Sequence, residues 1–383
     1  MSLPTVEGTP LPRPIVVMVG LATVFVVVAG LRGLSEIIGP TFLALVLTIA
    51  AHPMRRWVAG HGLPGWVGSV LAILVIYGGL VGLTLAMLVA GARFASLLPT
   101  YQQELQRLLD DALAWLDSVG VHQAQVDALS ETFDLGRVVA LLGDVVGGLV
   151  GVLTSLLFVV TLVLFMVVDA TGFTPKLGEL PAERRGLVEA LLSFAAGTRK
   201  YLVVSTVFGL IVAVIDTAAL FWIGVPVAVL WGLLAFITNY IPNIGFVIGV
   251  VPPAVIGLLE GGPGMMIAVL VTYTVINVVI QSVIQPKVVG DAVGLSTTIT
   301  MLSLVFWAYT LGAVGAVMAV PLTLLAKAVL VDADPGSRWV GFLLAGPAPR
   351  PRAHPAPAPV AGNAAEPATD GGGGAGPVQA PGV

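Results

Sequence analysis

Asn277, Gln281 and Gln285 stand at i, i+4 and i+8, which is one face of a helix, with Tyr273 and Thr274 adjoining. The run around them is otherwise apolar. Amides turned toward hydrocarbon are costly, so this face must meet protein or water. It can bond helices together or line a polar path, and the two roles are compatible. Upstream, Asn239-Tyr-Ile-Pro-Asn-Ile-Gly245 interrupts another apolar run and places Pro242, Gly245, Asn239 and Asn243 inside it. A proline removes an amide donor and clashes with the preceding turn, so carbonyls are left needing partners. At membrane depth such backbone is tolerated only within protein or against a watery cavity. Discontinuous helices of this kind hold polar solutes in secondary transporters, through their ends and free carbonyls. A loop at the membrane surface between two spans is the other reading of the same residues. Asp216 is an acid well inside an apolar run. It is either a proton or cation site, or an acid near the interface or paired with a neighbour. Pro286 and Lys287 close the amide face. Lys287 either holds an anionic group or marks a cytoplasmic boundary.

The elements that must carry these residues follow from composition. The chain has 383 residues, of which 57% are hydrophobic and only 10% charged, against about 25% charged in soluble domains. A mean hydropathy of +1.02 excludes an ordinary globular enzyme. The net charge of −4 gives no sign of nucleic-acid binding. There is no cysteine, so disulfides and thiolate metal sites are absent, and His52, His61, His122 and His354 are scattered. No metal or other cofactor is implied.

The apolar residues come in blocks long enough to cross a bilayer, which takes about 20 residues of helix. Spans are expected over Ile15–Leu31, Leu34–Ala51, Trp66–Ala92, Val145–Val168, Leu202–Ile223 and Met265–Ile284. Pro226–Leu259 fits either a half-membrane hairpin or a full crossing. Ser296–Leu330, which contains Gly312, Gly315 and Pro321, is long enough for a span plus extra turns. A cleaved signal peptide competes for the first block, but no small-x-small site follows it and a second apolar segment begins almost at once. The expected fold is an all-α polytopic membrane protein of about seven or eight transmembrane helices, with broken or re-entrant segments.

Between the spans, residues 1–14 read as a flexible tail. Residues 93–144 are polar, with eight Asp or Glu against three Arg. There Leu105, Leu108, Leu109, Ala112, Trp115, Leu116 and Val119 recur at helical spacing, an amphipathic helix. Its acidic face disfavours anionic lipid and favours packing on its own protein or a sister subunit. Residues 169–200 form a second polar segment, rich in Lys and Arg. Residues 345–383 are mostly Pro, Ala and Gly and cannot bury enough surface to fold. Basic residues stay on the cytoplasmic side. This puts 169–200 and the amino terminus inside and 93–144 outside. Arg32 and Glu36, four apart, are expected to pair. Gly147-x-x-x-Gly151 and Gly245-x-x-x-Gly249 permit close helix contact.

Catalytic motifs are missing: no phosphate-binding Gly-rich loop, no His-Glu-x-x-His, no Gly-x-Ser-x-Gly. Gly290-Asp291 with Asp216 is all that resembles an intramembrane aspartyl protease. The chain is read as a transporter, not an enzyme.

The stretch from Gly224 through Trp231 and Asn239-Tyr-Ile-Pro-Asn-Ile-Gly245 to Pro252-Pro253 closely resembles the autoinducer-2 exporter family, also called AI-2E transporters or PerM-like permeases. So do Gln285-Pro-Lys-Val-Val-Gly290, Val293-Gly-Leu-Ser-Thr297, Leu302-Ser-Leu-Val-Phe-Trp307 and Val320-Pro-Leu-Thr323. The likeness is specific over 224–323. It implies a multi-pass secondary transporter of the bacterial inner membrane that exports a small polar metabolite, for some members autoinducer-2. For other members it implies sodium/proton antiport. It also implies a homo-oligomer, a pentamer among the options. Where the family often carries Asn or Glu before the proline, this chain has Gln285, which removes a possible acid. Asp216 is not part of the family pattern. The expected partners are therefore the lipid bilayer, a small polar solute, a coupling proton or sodium ion and further copies of the chain. The expected solute site is Asn239, Pro242, Asn243, Gly245, Asn277, Gln281, Gln285 and Lys287, with Asp216 as ion-coupling residue.

Overall fold

In lipid a backbone can satisfy its amides only within itself, and this chain does so with helices. The structure is a computed structural model that describes residues 12–118, 157–170, 172, 181, 184–242, 244–285 and 295–344. These lie within the unit Met1–Pro347. Residues 1–11 of the expected amino-terminal tail, the whole expected carboxy-terminal tail, all of 119–156 with the Gly147/Gly151 pair, Asn243 and Pro286–Gly294 lie outside the described residues.

Helix α1 (Arg13–Gly33) opens with proline in its first turn, where the missing N–H costs nothing. After Leu34, α2 (Ser35–Gly60) runs through Pro40 and Pro53, past the expected end of its span. Helix α3 (Gly65–Ser118) is continuous for 54 residues, about 80 Å at 1.5 Å per residue. The polar segment from Arg93 therefore begins as an extension of the third span. Of the fourth expected span, α4 (Leu157–Ala170) is described. Helix α5 (Arg185–Ile223) is 39 residues long. It takes in the second half of the polar segment 169–200.

Gly224 ends α5 in the left-handed region, φ 92°, with its N–H bonding the Leu220 and Phe221 carbonyls. The chain then turns back into α6 (Ala228–Thr238), only 11 residues long. That is about 16 Å, half the hydrocarbon thickness. A turn beginning at Asn239 leads to α7 (Gly245–Asn277), which continues as a π-helical segment, Val278–Ile284. Helix α7 is not straight. At Gly261 and Gly262 it leaves helical geometry (φ 70° at Gly262), just before Pro263. A Cβ on Gly257 would lie 3.4 Å from Val269 Cγ2. Twelve residues of straight helix would separate them by about 18 Å, so α7 is a hairpin of two antiparallel limbs.

Helix α8 (Thr297–Val317) repeats the device. It breaks at Gly312, φ 66°. Ser303 Oγ then donates to the Ala319 carbonyl at 3.1 Å, although about 24 Å of straight helix would separate them. The returning limb contains α9 (Ala319–Lys327) and a π-helical Ala328–Asp332, followed by α10 (Arg338–Leu344). Trp307 Nε1 donates to Thr323 Oγ1 at 3.0 Å across the hairpin.

Among the described residues six helices are long and apolar enough to cross a membrane, and two of them, α7 and α8, are folded hairpins. The protein is thus an all-helical, multi-pass membrane protein with broken and re-entrant helices. The main buried cluster joins the end of the α3 span to α6 and α7 around Trp231 and Tyr273. A second joins α2, α5 and the α8–α9 hairpin. Arg32 does not pair with Glu36; its guanidinium lies 4.4 Å from the centroid of the Tyr309 ring on α8, where a ring face attracts a cation.

Candidate functional site

Small residues let three helices meet at one depth. A Cβ on Gly232 of α6 would fall 1.8 Å from Thr217 Oγ1 of α5. The half-helix α6 therefore lies directly against α5. One on Gly209 would fall 2.8 Å from Asn239 Nδ2, so the Asn239 side chain occupies the space a larger residue would take. On the other side, a Cβ on Gly249 would be 3.1 Å from Thr238 Oγ1 and one on Gly245 only 1.9 Å from the Thr238 carbonyl oxygen. The expected Gly245-x-x-x-Gly249 contact is real, and it seats α7 on the end of α6.

The broken segment satisfies much of its backbone locally. Ile241 N–H bonds the Thr238 carbonyl at 2.8 Å and Gly245 N–H the Ile241 carbonyl at 3.0 Å. Tyr201 of α5 donates its hydroxyl to the Tyr240 carbonyl at 2.6 Å. Asn239 Nδ2 donates to the Ser205 carbonyl of α5 at 2.9 Å. The turn is thus pinned to the middle of a long helix inside protein, which answers the demand its freed carbonyls make.

The second limb of α7 brings the amide face. Asn277 Nδ2 donates to the Tyr273 carbonyl at 2.9 Å. Gln281 Nε2 donates to Asn277 Oδ1 at 2.8 Å and to Asn239 Oδ1 at 3.2 Å. One amide group thereby ties the limb to the broken turn. Both asparagines give their N–H groups to backbone and turn their carbonyls toward Gln281.

These residues line a partly open cavity of about 10 Å³, close to the volume one water needs. Its polar wall is Asp216, Thr238, Asn239, Tyr273, Asn277 and Gln281, and Val212, Ala235, Phe246 and Gly249 complete it. Asp216 is fully buried and Tyr273 is 1% exposed. Among the described residues neither carboxylate oxygen of Asp216 has a hydrogen-bond partner, and neither does the Tyr273 hydroxyl. No lining residue is basic.

Four of the expected site residues, Asp216, Asn239, Asn277 and Gln281, therefore converge on one cavity. Pro242 and Gly245 shape the turn without lining it. Gln285 also stays out of the lining, because the π-helical stretch before it widens each turn by a residue and shifts the register of the face. Asn243 and Lys287 lie outside the described residues. Thr238 and the hydroxyl of Tyr273 were missed as lining groups. Tyr273 carried a signal, since Tyr273, Asn277 and Gln281 share the i, i+4, i+8 spacing; Thr238 carried none. Among the described residues no three His, Cys, Asp or Glu side chains group as a metal site.

Comparison with known proteins decides the class. The profile of the AI-2E family transporter matches residues 15–333. The chain belongs to the AI-2E transporter family. It is 30% identical over 330 residues to the AI-2 transport protein TqsA of Escherichia coli K12, covering 86% of this chain and 95% of that protein. It is likewise 30% identical over 336 residues to the putative transport protein YhhT of the same organism, covering 88% and 96%. A shorter match, 28% over 117 residues, covers 30% of this chain and 33% of a sodium-lithium/proton antiporter of Halobacillus andaensis. This AI-2E family chain is a membrane transporter, and its hairpins and cavity sit within the matched region.

Proposed function

We propose that this chain is a secondary transporter of the bacterial inner membrane that exports a small polar metabolite, with autoinducer-2 as the first cargo to test. The observation that carries the reading is the convergence of Asp216, Asn239, Asn277 and Gln281, from three helices, on one cavity at membrane depth. Burying that many polar groups is costly unless they serve. A hydroxylated solute would meet amide donors and acceptors there, so it need not enter lipid. The AI-2 transport protein among its relatives makes that cargo the natural one. In this reading the amino terminus is cytoplasmic and the chain works as a homo-oligomer.

The test is flux of labelled autoinducer-2 from vesicles holding the purified protein, compared with Gln281→Ala. Removing Gln281 deletes the bond to Asn239 that joins the α7 limb to the broken turn, together with the bond to Asn277 within the limb. We expect saturable flux from the parent and a loss of at least about tenfold in the variant, the effect of losing about 1.4 kcal/mol. Equal flux from both, or none from the parent, refutes the export reading.

A second reading, cation/proton antiport, is favoured by one observation: the partnerless carboxylate of Asp216. The antiporter among the relatives gives it a precedent of the same chemistry.

A further inference from the structure

We propose that the tip of the α7 hairpin is a lid over one end of the cavity, strapped shut by the bond between Tyr101 of α3 and Glu260 of α7. The inference rests on the transport reading above and names the contact that gates that site.

The cavity needs a moving wall. Metabolite pockets measure roughly 300–1,000 Å³, whereas the space here is about 10 Å³. A water fits and a sugar-like solute does not. The hairpin supplies two walls, with Phe246 and Gly249 on its first limb and Tyr273, Asn277 and Gln281 on its second. Toward the tip the space is filled. Ala235 and Tyr273 line the cavity and also belong to the apolar cluster that holds Trp231, Ile256 and Tyr101. That cluster is a plug between the cavity and the hairpin tip. A Cβ on Gly224 would lie 3.9 Å from Met265 Cε, so the corner between α5 and α6 sits under the tip.

The hairpin is built to bend above the cavity. Its lower part is fixed, since Gly245 and Gly249 seat it on α6 and Gln281 bonds Asn239. Pro252 and Pro253 then interrupt the first limb. They deprive the carbonyls of Ile248 and Gly249 of their usual amide partners, the commonest origin of a helix kink. At the far end Gly261 and Gly262 leave helical geometry, with nothing within 4 Å of the Gly262 Cβ position. A few such residues absorb the backbone change of a hinge. Met265 and Met266 pack against the cluster from the tip, and methionine refits as its neighbours shift.

Helix α3 holds this segment down. Phe94 meets Trp231 of α6 edge-on, with ring centroids 5.2 Å apart. Two turns later Tyr101, 6% exposed, donates its hydroxyl to Glu260 Oε1 at 2.8 Å. Glu260 immediately precedes the glycine pair and is exposed. The strap is therefore buried at one end and wet at the other. Water competes with the tyrosine for the same oxygen, so the net worth of the bond is modest and it can be released. Helix α3 runs on to Ser118, about 25 Å past Tyr101, and a movement of that extension reaches the lid through this pair.

The chain has no cysteine, so a single introduced one reports the gate without any solute. Val225→Cys lies in the plugged corner, where Val225 is 4% exposed. Its reaction with a charged, water-soluble maleimide is timed in the purified protein. We expect Tyr101→Phe and Glu260→Ala each to speed labelling about fivefold or more. Glu260→Gln keeps a carbonyl acceptor for the hydroxyl and should stay within about twofold of the parent. Ala44→Cys, where Ala44 is fully buried on α2, should label slowly in every background. Labelling of Val225→Cys left unchanged by Tyr101→Phe and Glu260→Ala overturns the strap. So does an equal rise at Ala44→Cys, which is what general loosening of the protein produces. Strap variants that open the tip of a protein that exports no solute would uphold the lid and overturn the transport reading instead.

Discussion

Gly245→Ala is the sharpest probe of how the broken turn is built. A Cβ at this position would sit 1.9 Å from the Thr238 carbonyl oxygen and 2.8 Å from its carbonyl carbon. Both atoms are backbone, so no side chain can swing away. To reach ordinary contact at 3.4 Å the start of α7 must retreat from the end of α6 by about 1.5 Å. The turn between them carries Asn239, held by bonds of 2.9 Å to Ser205 and 3.2 Å to Gln281. A shift of that size takes both beyond hydrogen-bond range. Overpacking costs about 1–3 kcal/mol, and interhelical bonds in membranes about 0.6 kcal/mol each. The helix-propensity gain of alanine over glycine returns about 1 kcal/mol. The net expectation is a loss of about 1–3 kcal/mol. Unfolding of the purified protein in mixed micelles would measure it. Gly30→Ala on α1, where nothing lies within 4 Å, is the control and should be neutral or slightly stabilising. Stability of Gly245→Ala within about 0.5 kcal/mol of the parent would refute the close approach of α6 and α7.

The second hairpin depends on conformation rather than space. Gly312 has φ 66° with nothing within 4 Å of its Cβ position, so Gly312→Ala should cost about 1–3 kcal/mol of backbone strain alone, read by the same unfolding assay; a neutral substitution would mean the hairpin does not turn there. Outside the membrane, the Gly336 N–H and the Ser337 hydroxyl hold the Asp334 carboxyl below the usual carboxylate range. A carboxyl lowered in the folded state stabilises it above the unfolded value, about 4, and that contribution fades as pH falls through the folded value. The difference in melting temperature between the parent and Asp334→Ala should thus be level near neutrality and shrink in acid; a difference that widens in acid would contradict the arrangement.

Much of this molecule is legible because lipid imposes few solutions. Long apolar blocks can only be helices, and α1 and α2 fall close to where hydropathy puts them. Pro242 and its asparagines signal a break, and the break is there. The amide spacing of Asn277 and Gln281 signals a face, and that face reaches the break. Tertiary geometry is harder to read. Glycine at 261, 262 or 312 looks the same in a straight span as in a hairpin, because only φ separates the two and composition does not encode it. Gln285 misleads for a related reason: helical spacing assumes 3.6 residues per turn, and the π-helical Val278–Ile284 breaks that assumption. The polar residues of α3 and α5 read as separate segments since sequence marks where a helix leaves lipid, not where it ends.

The cavity exists in spite of packing that would otherwise close it. Glycines at 209, 232, 245 and 249 bring α5, α6 and α7 together so tightly that an added methyl group would collide at most of them. Contacts that close leave no room for lipid between the helices. Every amide in the resulting wall then finds a protein partner: Asn239 on Ser205, Asn277 on Tyr273, Gln281 on both asparagines. A wall built only for adhesion would pair its remaining polar groups as well, since an unpaired buried group costs about 1–3 kcal/mol. The Asp216 carboxylate and the Tyr273 hydroxyl line the same void and find no partner among the described residues. Two unmet groups on one void are what a site for a transient occupant requires. A ligand must gain more from the site than the site has already given to itself.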